Sequence, residues 1–434
     1  MGNLSRLSIP AATLTSLAIL ATIRLHTQPL AEFERRALSD NPSIASTRLS
    51  AERARQRARA VSAWDPPGVG LEFTMLPPLE PDPTVRGETM VMFEQMIPLG
   101  GQTSAMAGAM TAGERVARAA VDAESNALLA EIRSRYYTLW YIDRRIEIAS
   151  RARRLLDLLG RIVELRYEIA RAPQSELLAL ATESESIELE QSDMKRWRKE
   201  VEGELNARVG RSPDSAVLVP TSPPAPPLPP LDSLRALVSG HPDLLRMEAM
   251  SRMSELEGDA RLTMLRPMLM LRAGLAWMPQ GHPLREAQVS EHGIEHGDGV
   301  MRWGLRLGAM ISVPIAPWSR VGPEAESEAL RIQAREEIGR RDDMRNRMEA
   351  MLRSSYLRAE RALAAAEFTL HTSLPLLEQR LDAAREDYAN GRVPFTALLD
   401  GYRTLVQADI DLAQRNLDYA TSLVAIASIT GALP

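Results

Sequence analysis

The residues best suited to metal chemistry stand together in one segment, Glu291-His292-Gly293-Ile294-Glu295-His296-Gly297-Asp298. Imidazoles and carboxylates are metal-ligand types, but His292 and His296 would face a single ion only if the segment were helical, and its glycines argue for a loop. The segment therefore reads as a solvated surface loop, and no metal and no cofactor are assigned. The chain carries no glycine-rich phosphate loop ahead of a helix, no Gly-x-Ser-x-Gly elbow and no His-Glu-x-x-His pair. It has no cysteine, which removes disulfides, thiol catalysis and lipid attachment through cysteine. An enzyme is not expected.

The strongest signals are architectural. The stretch Tyr388–Asp400 reads YANGRVPFTALLD. Glycine accepts the left-handed backbone that ends a helix, and proline is tolerated in the first turn of the next, so this is the tip of a helical hairpin. The same phrase occurs earlier, where Tyr167 through Pro173 precedes Leu177-Leu178 as Tyr388 through Pro394 precedes Leu398-Leu399. Asn41-Pro42 corresponds to His241-Pro242, Ile97–Gly100 to Val313–Ala316, Arg133–Tyr136 to Arg353–Tyr356, and Gly210 to Gly431. The chain is a duplicated unit. The expected division is 1–28 as a signal peptide, 29–219 as the first repeat, a proline-rich strap at 220–230, and 231–434 as the second repeat.

Each repeat reads as helix, strand pair, long helix, tip and return helix. The first copy gives helix at 31–64, strands at 69–77 and 88–97, and helices at 102–166 and 174–209. The second gives 231–265, 268–278, 300–313, 322–387 and 395–430. Leu398, Leu405, Leu412, Tyr419 and Ile426 recur every seven residues, with Leu399, Val406, Ala413, Ala420 and Ala427 beside them, the seam of helices packed side by side. The fold class is mainly α, with long coiled-coil hairpins and a small β part, and the architecture expected is a rod.

The β part alternates. Met301, Trp303, Leu305, Leu307, Ala309, Ile311 and Val313 share one face of a strand, while Arg302, Gly304, Arg306, Gly308 and Ser312 share the other, with Met310 the exception. A half-exposed sheet in a soluble domain alternates in the same way. Four strands cannot close a barrel, however, and open edges are not tolerated in lipid, so membrane strands of this number must be completed by other chains. Three protomers would supply twelve strands, and Trp277 and Trp303 would then sit near a lipid–water boundary. Net charge is −5, with nearly all cations arginine, and nucleic acid is not an expected partner. Arg6 followed by the apolar run Leu7–Ile23 reads as an export signal, the alternatives being a short anchor or an unprocessed arm.

The duplicated units, the Pro98-Leu99-Gly100-Gly101-Gln102 phrase between strand and long helix, and the tip residues Tyr388, Gly391, Leu398, Leu399 and Asp400 together resemble the outer-membrane efflux channels, the TolC-like family, from about residue 31 to the end. The resemblance implies a homotrimer with a shared 12-stranded β-barrel in outer-membrane lipid, continued by an α-barrel tunnel across the periplasm. It implies a periplasmic adaptor that meets the hairpin tips, here Ala170-Arg171-Ala172 and Gly391-Arg392-Val393, and an inner-membrane efflux pump reached through that adaptor. It places Asp400 at the periplasmic aperture. Two positions depart from the family pattern: Ala170 stands where the second tip has Gly391, and Ala397 occupies the place of a second aperture aspartate. The competing reading is a periplasmic coiled-coil scaffold that conducts nothing, which accounts for the heptads but not for the alternation at 301–313.

Overall fold

The structure, a computed structural model, describes residues 30–74, 88–220, 226–277 and 303–432. The N-terminal apolar run expected to be an export signal, residues 221–225 of the strap and the His292/His296 segment lie outside the described residues, as do Met301 and Arg302. The element order repeats. The first copy contains α1 (Leu30–Asp40), α2 (Pro42–Val61), β1 (Gly68–Thr74), β2 (Glu88–Pro98), α3 (Gln102–Glu168) and α4 (Gln174–Arg208). The second contains α5 (Leu231–Val238), α6 (Pro242–Thr263), β3 (Met268–Trp277), β4 (Trp303–Ser312), α7 (Pro317–Phe368), α8 (Leu374–Ala389) and α9 (Phe395–Thr430).

The helices expected at 31–64 and 231–265 are each broken in two, and at matching points. Pro42 and Pro242 open the second helix of each pair, where a missing N–H costs nothing. The residue before each proline caps the new helix with its side chain: the Ser43 N–H donates to Asn41 Oδ1 at 2.8 Å, and the Asp243 N–H donates to His241 Nδ1 at 3.1 Å. A periodicity reading that looks only at apolar spacing runs through such a break. The long helix of the second repeat is also interrupted, by a π-helical turn at Thr369–Ser373 just ahead of Pro375, whose ring nitrogen cannot donate to the preceding turn.

The chain forms two compact units, each drawing on both repeats. One comprises the residues up to Arg48, Ala120–Leu245 and Asp343 onward. It is helical and holds both hairpin tips. Its packing follows the heptad stripe: Leu398, Ala413, Tyr419, Ala420 and Ile426 are buried, and Leu398 joins Leu156, Leu159, Val163 and Leu180 of the first repeat in one apolar cluster. A second cluster gathers Phe33, Ile132, Tyr136, Leu139 and Leu205.

The other unit, Leu49–Ala119 with Arg246–Asp342, contains an antiparallel sheet in the order β1-β2-β3-β4. The central pairing joins β2 of the first repeat to β3 of the second, with Val91 opposite Leu275 and Phe93 opposite Ala273. Register carries the alternation across all four strands, so Leu71, Val91, Leu275 and Leu305 form one row, and Val69, Phe93, Ala273 and Leu307 the next. The strand expected at 88–97 is observed as Glu88–Pro98.

Candidate functional site

The two tips have the same backbone despite different residues. At the second, Gly391 takes φ 75°, its N–H donates to the Tyr388 carbonyl at 2.9 Å, and the Arg392 N–H reaches the Asp387 carbonyl at 2.8 Å. At the first, Ala170 takes φ 57°, with its N–H on Tyr167 at 2.9 Å and the Arg171 N–H on Arg166 at 2.8 Å. Both are left-handed helix ends closed by paired backbone bonds. Ala170 is the one non-glycine with positive φ among the described residues, and holding alanine there costs about 1–2 kcal/mol.

Arg171 and Arg392 are both exposed, the latter 3.4 Å from Asp387. Ala170 and Gly391 are exposed, Val393 is half-buried and Ala172 is buried, so the first tip presents its arginine on a backbone whose next side chain is packed inward. Asp400 lies on the exposed side of α9, about one and a half turns from its start at Phe395. Its carboxylate pairs with Arg380 of α8 at 2.8 Å, while Arg403, the neighbour expected from spacing, turns instead to Glu183 at 2.6 Å.

A network joining the two tips was not foreseen. The Arg166 guanidinium, at the end of α3, donates to the Tyr388 carbonyl and to the Arg171 carbonyl, and lies 4.4 Å from the centre of the Tyr388 ring. The Tyr388 hydroxyl donates to the Glu176 carboxylate on α4, and its ring meets Phe395 edge-on at 6.1 Å. Burial, reinforced by the Glu176 charge, raises the phenol's pKa, so it remains a donor. Arg166 and Glu176 are each more than 200 residues from Tyr388 in sequence. Spacing within one helix gives no sign of them.

The sheet presents its apolar rows outward. Val69, Leu71, Leu305 and Leu307 are 74%, 67%, 71% and 76% exposed. Trp277 and Trp303 are direct cross-strand partners at one end of that apolar face, beside Thr89 and Phe73. The opposite face carries glycines and ion pairs, among them Arg272–Glu94 at 2.7 Å and Arg306–Glu88 at 2.5 Å. Within the described residues no helix is long and apolar enough to cross a membrane, a statement that does not bear on strands.

No protein-family model and no curated protein sequence matches the chain. Solved structures do. CusC, studied for the conformational changes accompanying folding and transmembrane channel formation, superposes with TM-score 0.76 at 14% identity, over 92% of this chain and 91% of that one. The outer membrane protein VceC of Vibrio cholerae gives 0.74 at 16%, over 93% and 96%. The open state of the MtrE outer membrane channel of Neisseria gonorrhoeae gives 0.70 at 15%, over 93% and 88%. The chain has the fold of the outer-membrane channel proteins. At these identities the likeness is one of fold, and it is to the TolC-like architecture anticipated from the repeats.

Proposed function

We propose that the chain is one protomer of a trimeric outer-membrane efflux channel. In this reading it is a passive exit duct across periplasm and outer membrane for substrates brought by an inner-membrane pump and a periplasmic adaptor. The observation that carries the proposal is the sheet: four strands, with β1 and β4 at its edges and an exposed apolar face of Val, Leu, Ile, Phe and Trp. In water such a face is an aggregation hazard, and in lipid an open edge leaves backbone groups unpaired. Three copies closed into a 12-stranded barrel relieve both problems, with Trp277 and Trp303 near the lipid–water boundary. The fold shared with outer-membrane channels supports the same assembly.

The tips then face the adaptor, with Arg171 and Arg392 as hydrogen-bond donors to its carbonyls or carboxylates. Asp400 contributes one carboxylate per chain to the periplasmic aperture. A non-conducting scaffold would need the coiled-coil seam but not a lipid-ready sheet. The test is fractionation followed by reconstitution. Detergent-dependent extraction from outer membranes as a cross-linkable trimer, with discrete conductance in planar bilayers, is the expected result. A protein that is monomeric in detergent, or trimeric but electrically silent, overturns the reading.

A further inference from the structure

The duplication leaves one junction made and its counterpart open. β2 of the first repeat pairs with β3 of the second, so β1 and β4 stand at the edges of the sheet. By repeat, β4 is the counterpart of β2 and β1 that of β3, so β4 of one copy meets β1 of another by the geometry already built inside the chain. The helices beside these strands follow the same rule. Inside the chain α3 runs against α6, with Gln102 donating to the Thr263 carbonyl at 3.0 Å and Met253 lying over Gly113. Their counterparts are α7 and α2, each next to an open strand edge.

The repeat also fixes the levels. Ile97–Gly100 matches Val313–Ala316, which makes Trp318 the counterpart of Gln102, and Pro42 matches Pro242, which makes Ala63 the counterpart of Thr263 and Val69 that of Leu269. Copying the pairing of Ile97 with Leu269 and of Gln95 with Leu271 sets Val313 and Ile311 opposite Val69 and Leu71 of a second copy. All four are exposed residues of the apolar face, which this register keeps continuous from copy to copy. Stepping along the antiparallel helices from Trp318 and Ala63 then brings Glu324, Glu326 and Glu328 level with Arg57, Arg55 and Arg53, and Ile332 level with Leu49. The charges suit those levels. From Glu52 to Arg59, α2 has four arginines and one glutamate, whereas α7 from Pro317 to Leu330 has three glutamates and one arginine. Among the described residues Arg53 and Arg57 meet no carboxylate, and Arg55 reaches only Glu52 of its own helix. The three glutamates each hold one arginine of their own chain, yet stay about half exposed with lone pairs to spare. Arg53 and Arg57, four residues apart, share one flank of α2, as Glu324 and Glu328 share one flank of α7. Leu49 and Ile332 are 70% and 54% exposed.

We propose, resting on the trimeric reading, that the α2–β1 edge of each copy docks on the β4–α7 edge of the next in this copied register, with Arg57, Arg55 and Arg53 seated on Glu324, Glu326 and Glu328 and Leu49 against Ile332. The partner is a second copy of this chain. A contact between two different edges repeats head to tail and closes into a ring. The arginines draw the cationic edge to the acidic one and repel a copy that presents α2 to α2, so charge selects the orientation while the strand ladder supplies the hydrogen bonds.

The chain has no cysteine, so engineered pairs report without background. In the full-length protein in detergent, L71C/I311C should form an oxidant-driven disulfide between copies and yield covalent trimers, because directly opposed residues bring their Cα atoms to about 4.5–5.5 Å. V69C/I311C and F73C/I311C, each two residues out of register, should cross-link about tenfold less. The charge reversal R53E/R57E should convert the trimer to monomer at low salt, and adding E324R/E328R should recover trimer. Raising salt should loosen the parent trimer, since these pairs lie at a wet edge. If R53E/R57E fails to fold, seen as loss of helical circular dichroism, R53Q/R57Q removes the charge without adding repulsion and should weaken the trimer in the same direction. Trimers that cross-link only through a shifted pair overturn the register while the trimeric reading stands. Trimers as stable in R53E/R57E or R53Q/R57Q as in the parent overturn the arginine docking, again without touching that reading. A protein that stays monomeric and cross-links through no pair overturns the trimer and the seam together.

Discussion

The two hairpin tips share a backbone and differ in what holds them. Tyr167 and Tyr388 occupy equivalent places, yet Tyr167 is 43% exposed and Tyr388 only 2%. The difference lies in their neighbours. Tyr388 is followed by Phe395 and faces Arg166 and Glu176, whereas the equivalent of Phe395 in the first repeat is Gln174, which cannot offer an aromatic edge. A duplicated sequence has thus diverged into an anchoring tip and a lighter one. Arg166, reaching the carbonyls of both, ties the lighter tip to the anchor.

The largest expected effect tests that asymmetry directly. Tyr388→Ala removes a buried ring, its stacking on Arg166 and its hydrogen bond to Glu176, and should cost about 3–5 kcal/mol. Tyr167→Ala, at an exposed ring, should stay within about 0.5 kcal/mol. Chemical denaturation of the detergent-solubilised protein followed by tryptophan fluorescence measures both. Equal losses would mean that the two tips are energetically alike and that the buried network is incidental.

Exchanging the left-handed residues gives the next effect. Gly391→Ala imposes the strain that Ala170 already bears, with no steric obstacle, because the nearest atom to an added Cβ is Arg166 Nη2 at 3.7 Å. The expected loss is about 1–2 kcal/mol, and Ala170→Gly should gain about 0.5–1 kcal/mol. Limited proteolysis at the tips should move in the same directions. A neutral Gly391→Ala would show that the tip relaxes out of the left-handed region.

What was legible in the sequence, and what was not, divides along the same line. Gly391 and Pro394, the repeated Leu-Leu, and the period-two rows of β4 announce local geometry, and the helix ends near Glu168, Gln174, Phe395 and Thr430 fall within a few residues of the reading. The partners of Tyr388, the Arg380 that takes Asp400, and the pairing of Met310 with Met270 depend on which segments meet in space. A periodicity argument treats Met310 as a blemish, and only the register of β3 against β4 makes it part of a row. The caps at Asn41 and His241 lie between: both prolines were visible as a matched pair, but the break in the helix follows from the side chain before each.

Those caps offer a smaller test of divergence between repeats. His241 is buried, with Nδ1 accepting the Asp243 N–H and Nε2 beside Asn126, and burial lowers its pKa below the usual imidazole value. In the unfolded chain the same imidazole protonates more readily. Its contribution to stability is therefore fully present above about pH 6.5 and is lost as pH falls toward the folded-state pKa. His241→Asn, copying the cap of the first repeat, should remove this share of the pH dependence while keeping the capping bond. Thermal unfolding of the two proteins between about pH 5 and pH 8 checks this, and parallel curves would exclude His241 as the titrating group.

The smallest energetic effect bears most directly on function. Asp400 has Ala179 as its counterpart, so at this repeat position only the second hairpin carries a carboxylate, and in a three-fold assembly the result is a ring of three. The Arg380 partner lies on the adjacent helix with both side chains more than half exposed, so the pair contributes only about 0–1 kcal/mol to stability and offsets the ring's charge only in part. The pair can therefore be dismantled from either side without loss of fold. In reconstituted channels Asp400→Ala should reduce cation selectivity and weaken block by multivalent cations added from the periplasmic side, whereas Arg380→Ala should strengthen both by freeing the carboxylate. Ala179→Asp, doubling the ring, should act in the same direction as Arg380→Ala. Each effect should shrink as salt is raised, because charges at a wet mouth are screened within about 10 Å at 0.1 M ionic strength. If selectivity is indifferent to all three substitutions at low salt, Asp400 is a surface partner of Arg380 and the charge that selects ions lies elsewhere along the duct.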